Sequence, residues 1–164
     1  MKKQPNHALQ TLINLRMAKD KRDYPNLPDK ARVIPKHEDK TANGLTKCII
    51  EFLNMTDGCH AERISSEGRV IDDRQTVVNV IGQTVTKGSI KRIKSSGQIG
   101  TADISATILG RSVKIEVKIG NDRQSLDQKE YQRQIENAKG YYVIAKDFQG
   151  FYNWFTSKFK RANE

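Results

Sequence analysis

Acidic residues are missing from a long central stretch: from Arg74 to Ala102 there is no aspartate or glutamate. Over all 164 residues, 29 lysines and arginines face 19 aspartates and glutamates. The formal net charge is +10 and the pI is near 9.7. That excess favours a polyanionic partner. Cysteine is scarce as well. Cys48 and Cys59 are too few for a disulfide framework and read as reduced thiols. The three histidines are scattered, so no Cys/His cluster of zinc spacing exists. Hydrophobic residues make up only 36%. No apolar run approaches membrane-spanning length, no signal-peptide pattern opens the chain, and no strongly apolar amphipathic face is available for insertion into an anionic bilayer. The expectation is a cytoplasmic protein with no membrane partner. A P-loop, a dinucleotide glycine fingerprint, an internal repeat and a legible Ser/His/Asp arrangement are all absent.

What is present centres on residues 100–120, GTADISATILGRSVKIEVKIG. Leu109-Gly110 suits a two-residue hairpin loop, because glycine readily adopts positive φ. That turn places Ile108 opposite Arg111, Ile104 opposite Ile115 and Asp103 opposite Glu116. Alternation then sorts the side chains. Ile104, Ala106, Val113, Ile115 and Val117 share a face that can bury. Asp103, Ser105, Lys114, Glu116 and Lys118 share the other. Two carboxylates meeting across strands repel unless a cation lies between them. An acidic pair beside a lysine provides oxygen ligands for a hard divalent cation, facing water and phosphate. The same spacing also fits a solvated hairpin face of mixed charge.

Asp103 followed by Glu116-Val117-Lys118 on the next strand resembles the PD-(D/E)XK nuclease motif. Gly100-Thr101-Ala102-Asp103-Ile104 resembles the G-x-P-D-hydrophobic segment of that superfamily, with Ala102 where proline is usual. Within the superfamily the likeness is to the VRR-NUC type and to small Holliday-junction resolvases, over about residues 41–148. It includes the polar loop Gly120–Arg123, the S-x-x-Q element Ser125–Gln128 and the strand Tyr141–Ala145. The resemblance implies an α/β (α+β), restriction-endonuclease-like core. A central mixed β-sheet would be flanked by helices in the order α-β-β-β-α-β, with a C-terminal helix added. It implies an Mg²⁺- or Mn²⁺-dependent endonuclease hydrolysing phosphodiester bonds in DNA. With no helix-turn-helix or zinc finger to read bases, structure-selective or non-specific cutting is expected, and the charge balance leaves RNA open as a substrate. Asp103 and Glu116 would bind the metal, with the backbone carbonyl of Val117 and the side chain of Glu51 as further ligands. Lys118 would orient or help deprotonate the attacking water. Gln128 would position water or phosphate, or else simply cap its helix. Junction resolvases are dimers, so a homodimer is expected by likeness, as is a phage or mobile-element source. The alternative is a basic DNA-binding or assembly protein whose nuclease site is vestigial.

Taken in order, residues 1–40 read as a basic arm and 41–164 as the core domain. Leu9, Leu12, Ile13, Arg16 and Met17 suggest one short amphipathic helix. Pro25, Pro28 and Pro35 then argue against its continuation, amid Lys19, Lys21, Arg22, Lys30, Arg32, Lys36 and Lys40. The arm is either a DNA- or dimer-contacting extension or a solvated tail. Leu45, Cys48, Ile49, Phe52 and Leu53 mark the first core helix, 43–57, closed by Asp57-Gly58. Glu51 lies on the flank of that stripe. Residues 76–81 and 84–86 read as strands, after a turn at Glu67-Gly68. Arg74, Lys87, Lys91, Arg92 and Lys94, with Arg123 and Lys129 further on, are the candidates for phosphate-backbone contact. Ser125 caps a helix that bears Tyr131, Ile135 and Ala138 and closes at Gly140. Phe148, Phe151, Tyr152, Trp154, Phe155 and Phe159 follow at helical spacing, in a C-terminal helix from about Gly150, and read as core.

Overall fold

The computed structural model describes residues 7–64, 69–93 and 98–159. Lys94, one of the candidate phosphate contacts, and the Glu67-Gly68 turn lie outside them. The described chain forms four helices and eight strands. One compact unit takes in the residues up to Ile64 and resumes at Gly100; the segment 65–99 is a second.

In the first unit the order is α1 (His7–Asp23), α2 (Ala42–Asn54), β1 (Cys59–Arg63), β6 (Ile104–Ile108), β7 (Arg111–Val117), α3 (Leu126–Asn137), β8 (Tyr141–Ala145) and α4 (Phe148–Phe159). The second unit holds β2 (Arg69–Asp72), β3 (Gln75–Val78), β4 (Thr84–Lys87) and β5 (Ile90–Ile93). The main sheet runs β1-β6-β7-β8, antiparallel except for the parallel β7–β8 pair. The protein is therefore mixed α/β with a central mixed sheet. Among the described residues, no helix is long and apolar enough to cross a membrane.

The β6–β7 register follows from its turn. Leu109 and Gly110 both have positive φ, 47° and 77°, the geometry of the tight hairpin turn that matches strand twist. Ile104 duly pairs with Ile115 and Ile108 with Arg111. Leu109 tolerates its strained backbone because its N–H donates to the Gly58 carbonyl at 2.8 Å. One face of the sheet buries Ile104, Ala106, Ile108, Val113, Ile115, Val143 and Ala145. These pack in one cluster with Leu45, Cys48, Ile49, Phe52 and Leu53 of α2 and with the aromatics of α4. Phe52 makes edge-on contacts with four α4 rings, at centroid distances of 5.2–6.5 Å. These aromatics are core, as their spacing predicts.

Two expectations change. The first helix is longer than the apolar residues alone suggest, and it belongs to the core. Ala8 and Leu12 are fully buried, and the Ala8 N–H donates to Gln149 on α4 at 3.0 Å. The chain therefore does not divide at residue 40. Arg32 folds back on the end of α1, its guanidinium donating to the carbonyls of Asp20, Tyr24 and Leu27 and to the Asp20 carboxylate. These carbonyls lie at and just beyond the C-terminal end of α1, where a cation is favourably placed. Arg32 is thus spent inside the fold. The second change is at 79–82, where the strand read through Ile81 becomes a turn.

Candidate active site

Glu116 stands on the sheet face opposite the aromatic core, yet only 1% of it is exposed. Its cover comes from α3 and β8. Gln128 Nε2 donates to Glu116 Oε1, and the Tyr142 hydroxyl donates to Oε2 at 3.3 Å. Lys118 Nζ lies 3.0 Å from Glu116 Oε1 and 3.4 Å from Asp122 Oδ2. Asp103 sits one residue before β6, where its Oδ2 accepts the Val117 N–H at 2.8 Å. That bond holds the Asp103 carboxyl against the main chain beside Glu116.

The electrostatics follow from burial. Desolvation pushes the Glu116 carboxyl above its ordinary range, and the nearby Asp103 charge adds to this while Lys118 opposes it. Burial also works against the Lys118 ammonium, but Glu116 and Asp122 outweigh it and the net shift is upward. The Tyr142 phenol is raised by burial and then by the Glu116 charge.

Helix α3 is aimed at this site by a local device. Ser125 and Gln128 form a capping box: Ser125 Oγ accepts the Gln128 N–H at 3.2 Å, and Gln128 Oε1 accepts the Ser125 N–H at 2.9 Å. The capping reading of Gln128 holds through its amide oxygen, while its amide nitrogen is given to Glu116. Gly100 makes room for the arrangement. It has a φ of +80°, and a Cβ there would come within 2.5 Å of the Asp127 backbone. Only glycine lets the loop leading to Asp103 approach the first turn of α3 so closely.

Asp103, Glu116, Lys118 and Gln128 are brought together. Val117 joins them through its N–H, while its side chain is buried. Glu51 is not brought to them. Its Oε1 pairs with Arg16 at 3.1 Å and its Oε2 with His37 at 2.9 Å. It lines a cleft of about 550 Å³ with Arg16, Lys36, His37 and Lys47, and none of the motif residues lines that cleft. The physical reason is rotational. Glu51 lies on the flank of α2 that meets α1 and the 33–41 segment, while the core stripe of α2 faces the sheet. Among the described residues, no group of three or more His, Cys, Asp or Glu could hold a metal ion. Any metal ligand set here rests on the two carboxylates.

Of the basic candidates, Arg123 and Lys129 are exposed on the loop before α3 and on its first turn. Arg74, Lys87, Lys91 and Arg92 belong to the second unit; Arg74 is paired with Asp72 at 2.7 Å. Sequence reasoning missed Tyr142 and Asp122. Tyr142 pairs with Lys114 across the parallel ladder, and this puts it on the polar face. Burial also pushes the Cys48 thiol up to about 11, which leaves it an inert core group. Compared with known proteins, the chain matches no family model and no curated protein.

Proposed function

We propose that this chain is a divalent-metal-dependent endonuclease of the PD-(D/E)XK type, with a restriction-endonuclease-like core, hydrolysing phosphodiester bonds in DNA. One observation carries the reading. Two carboxylates, Asp103 just before β6 and Glu116 on β7, are held together with a buried lysine, and burial and like charge both raise Glu116. A fold has no structural need for that juxtaposition, and a divalent cation would relieve it. The element order α2-β1-β6-β7-α3-β8 supports the same reading, as does the net charge of +10.

The donor set fits Mg²⁺ or Mn²⁺, both of which take oxygen ligands. Asp103 Oδ1 and the Glu116 carboxylate would hold the ion. Val117 presents its N–H towards Asp103, and an extended residue points its N–H and C=O to the same side, so its carbonyl is a third candidate. A bound divalent ion supplies Lewis-acid polarisation of a phosphate and lowers the pKa of water. The chain supplies the rest. Lys118 offsets charge developing on the phosphate, and its partner Asp122 holds the ammonium in place. Gln128 and Tyr142 fix the Glu116 carboxylate through hydrogen bonds. Glu51 has no part in this scheme, because it faces the separate cleft it shares with Arg16 and His37, which neither Asp103 nor Glu116 lines.

The test is cleavage of labelled linear, flap, splayed-arm and four-way-junction DNA, with a matched RNA duplex, in Mg²⁺, Mn²⁺ or EDTA. Asp103→Ala and Glu116→Ala are expected to lose cutting by at least about a hundredfold while still binding DNA. Full activity in either variant would refute the assignment. One observation favours a second reading, a basic DNA-binding or assembly protein with a vestigial site: the Lys118 ammonium is already tied to Glu116 and Asp122. That reading predicts salt-sensitive binding without turnover in any metal.

A further inference from the structure

Residues 69–93 form an antiparallel ribbon of two ladders, β2–β5 and β3–β4, that folds back at 79–83. Its turn is tightly specified. The Asn79 N–H donates to the Gln83 carbonyl at 2.8 Å, and the Gly82 N–H donates to the Asn79 carbonyl at 3.0 Å. Asn79 Oδ1 accepts the N–H groups of Ile81 at 3.1 Å and Gln83 at 2.9 Å, and Gly82 takes a φ of +79°. Turns of this kind normally carry polar residues and glycine at the tip. Here the tip is Val80-Ile81. Val80 is fully exposed and Ile81 is 73% exposed. Two β-branched aliphatics, held in water by an ordered turn, point to something that covers them.

The shaft indicates what that is. Lys87, Lys91 and Arg92 are exposed and make no ion pair among the described residues. The acids are already engaged: Asp72 with Arg74, and Asp73 with the Ser89 N–H at 2.6 Å. An apolar tip on a shaft of uncompensated cations suits a polyanion whose grooves expose apolar base and sugar surface. A second copy of this chain, itself at +10, would bring like charge to the shaft. We propose that the ribbon is a DNA-gripping arm. Lys87, Lys91 and Arg92 contact phosphates flanking a duplex groove, and Val80 and Ile81 enter the minor groove and wedge against a base step. β-ribbons are able to read either groove of DNA, and aliphatic side chains inserted from the minor groove unstack base steps. The ordered turn keeps the entropic cost of insertion low.

The inference rests on DNA being the partner, and its test is run without cutting. Full-length protein in EDTA is titrated into a short labelled duplex that carries 2-aminopurine as a stacking reporter. Three proteins are compared: wild type, Val80→Ser/Ile81→Ser, and Lys87→Gln/Lys91→Gln/Arg92→Gln. Wild type should raise the 2-aminopurine fluorescence. The tip variant should bind about tenfold more weakly, lose that rise and keep the salt dependence. The charge variant should flatten the slope of log K against log salt by about 0.9 per cation removed. Wild-type binding and fluorescence in the tip variant would overturn the proposal, as would an unchanged slope in the charge variant or a wild type that does not bind duplex. Sedimentation showing that the tip variant loses only self-association would assign the tip to a second copy instead. Glu116→Ala separates this inference from the nuclease reading. Lost cutting with intact binding and fluorescence supports both, whereas unchanged cutting refutes the nuclease reading alone.

Discussion

The chain builds two antiparallel hairpins from similar alphabets, and they end in opposite environments. β6–β7 carries Ile104, Ala106, Ile108, Val113 and Ile115, and all are buried. β2–β5 and β3–β4 carry Val70, Val78, Ile90 and Ile93, each at least half exposed. The charged groups differ in the same way. Lys114 donates to Ser105 at 2.6 Å, and Lys118 is tied to Glu116 and Asp122. Lys87, Lys91 and Arg92 have no ion-pair partner among the described residues. Both hairpins are rich in the β-branched residues that favour strands. What separates them is a second layer: α2 and α4 cover one face of β6–β7, and α3 with β8 covers the carboxylate on the other. One hairpin can therefore hold an ionisable group out of water, and the other leaves its side chains exposed.

The largest expected effect breaks the comparison directly. Ile115→Ala empties a fully buried position and should cost about 2–5 kcal/mol in urea unfolding. Val78→Ala, at 69% exposure on the ribbon, should stay within about 0.5 kcal/mol. Similar losses at the two sites would mean that the ribbon is packed like a core. A smaller effect sharpens the role of α3. Gln128→Glu keeps the capping box, which accepts glutamate at that position, but sets a second carboxylate against the buried Glu116 oxygen. A loss of about 1–3 kcal/mol is expected, with cutting impaired and helicity retained. A variant as stable as wild type would show that the Gln128–Glu116 contact contributes nothing.

Much of the fold was legible in the sequence. The glycine turn and strict alternation determine which residues face the core, and the α2 stripe and α4 aromatics read directly as buried. The grouping of Asp103, Glu116, Lys118 and Gln128 was legible because each is fixed by local register or by a cap. Glu51 was misplaced because its partners, Arg16 and His37, lie far off in sequence on segments read as an arm. Tyr142 was hidden inside an apolar-looking strand. Its parity shows only when β8 is registered against β7, where Tyr142 falls on the polar face and Val143 on the core face. Val80 and Ile81 read as strand because they are β-branched, but the backbone needs of Asn79 and Gly82 override that propensity.

The glycines test the same contrast at constant backbone angle. Gly100 and Gly82 have φ values of +80° and +79°. A Cβ at Gly82 meets nothing within 4 Å, whereas at Gly100 it would lie 2.5 Å from the Asp127 backbone. Gly82→Ala should therefore cost only the left-handed penalty, about 1 kcal/mol, confined to the ribbon. Gly100→Ala should cost that and more, about 2–3 kcal/mol in all, and lower cutting by displacing α3 from Glu116. Equal costs in thermal unfolding would show that the loop and helix relax freely and that α3 is not locked to the site.

The smallest effect concerns a single hydroxyl. Tyr142→Phe removes the 3.3 Å bond to Glu116 Oε2 and leaves the ring packed edge-on against Tyr131 at 6.4 Å. The expected loss is about 0.5–1.5 kcal/mol, because the carboxylate keeps its bonds to Gln128 and Lys118. Thr84→Val on the exposed ribbon removes a hydroxyl too, but water replaces its interactions and the change should stay within about 0.5 kcal/mol. Stability alone would not separate a positioning role for Tyr142 from a packing one. The metal dependence of cutting does: a loosened Glu116 should raise the Mg²⁺ concentration needed for half-maximal rate by about tenfold, with little change at saturating metal. An unchanged metal curve would leave Tyr142 as cover for the carboxylate, with no part in aiming it.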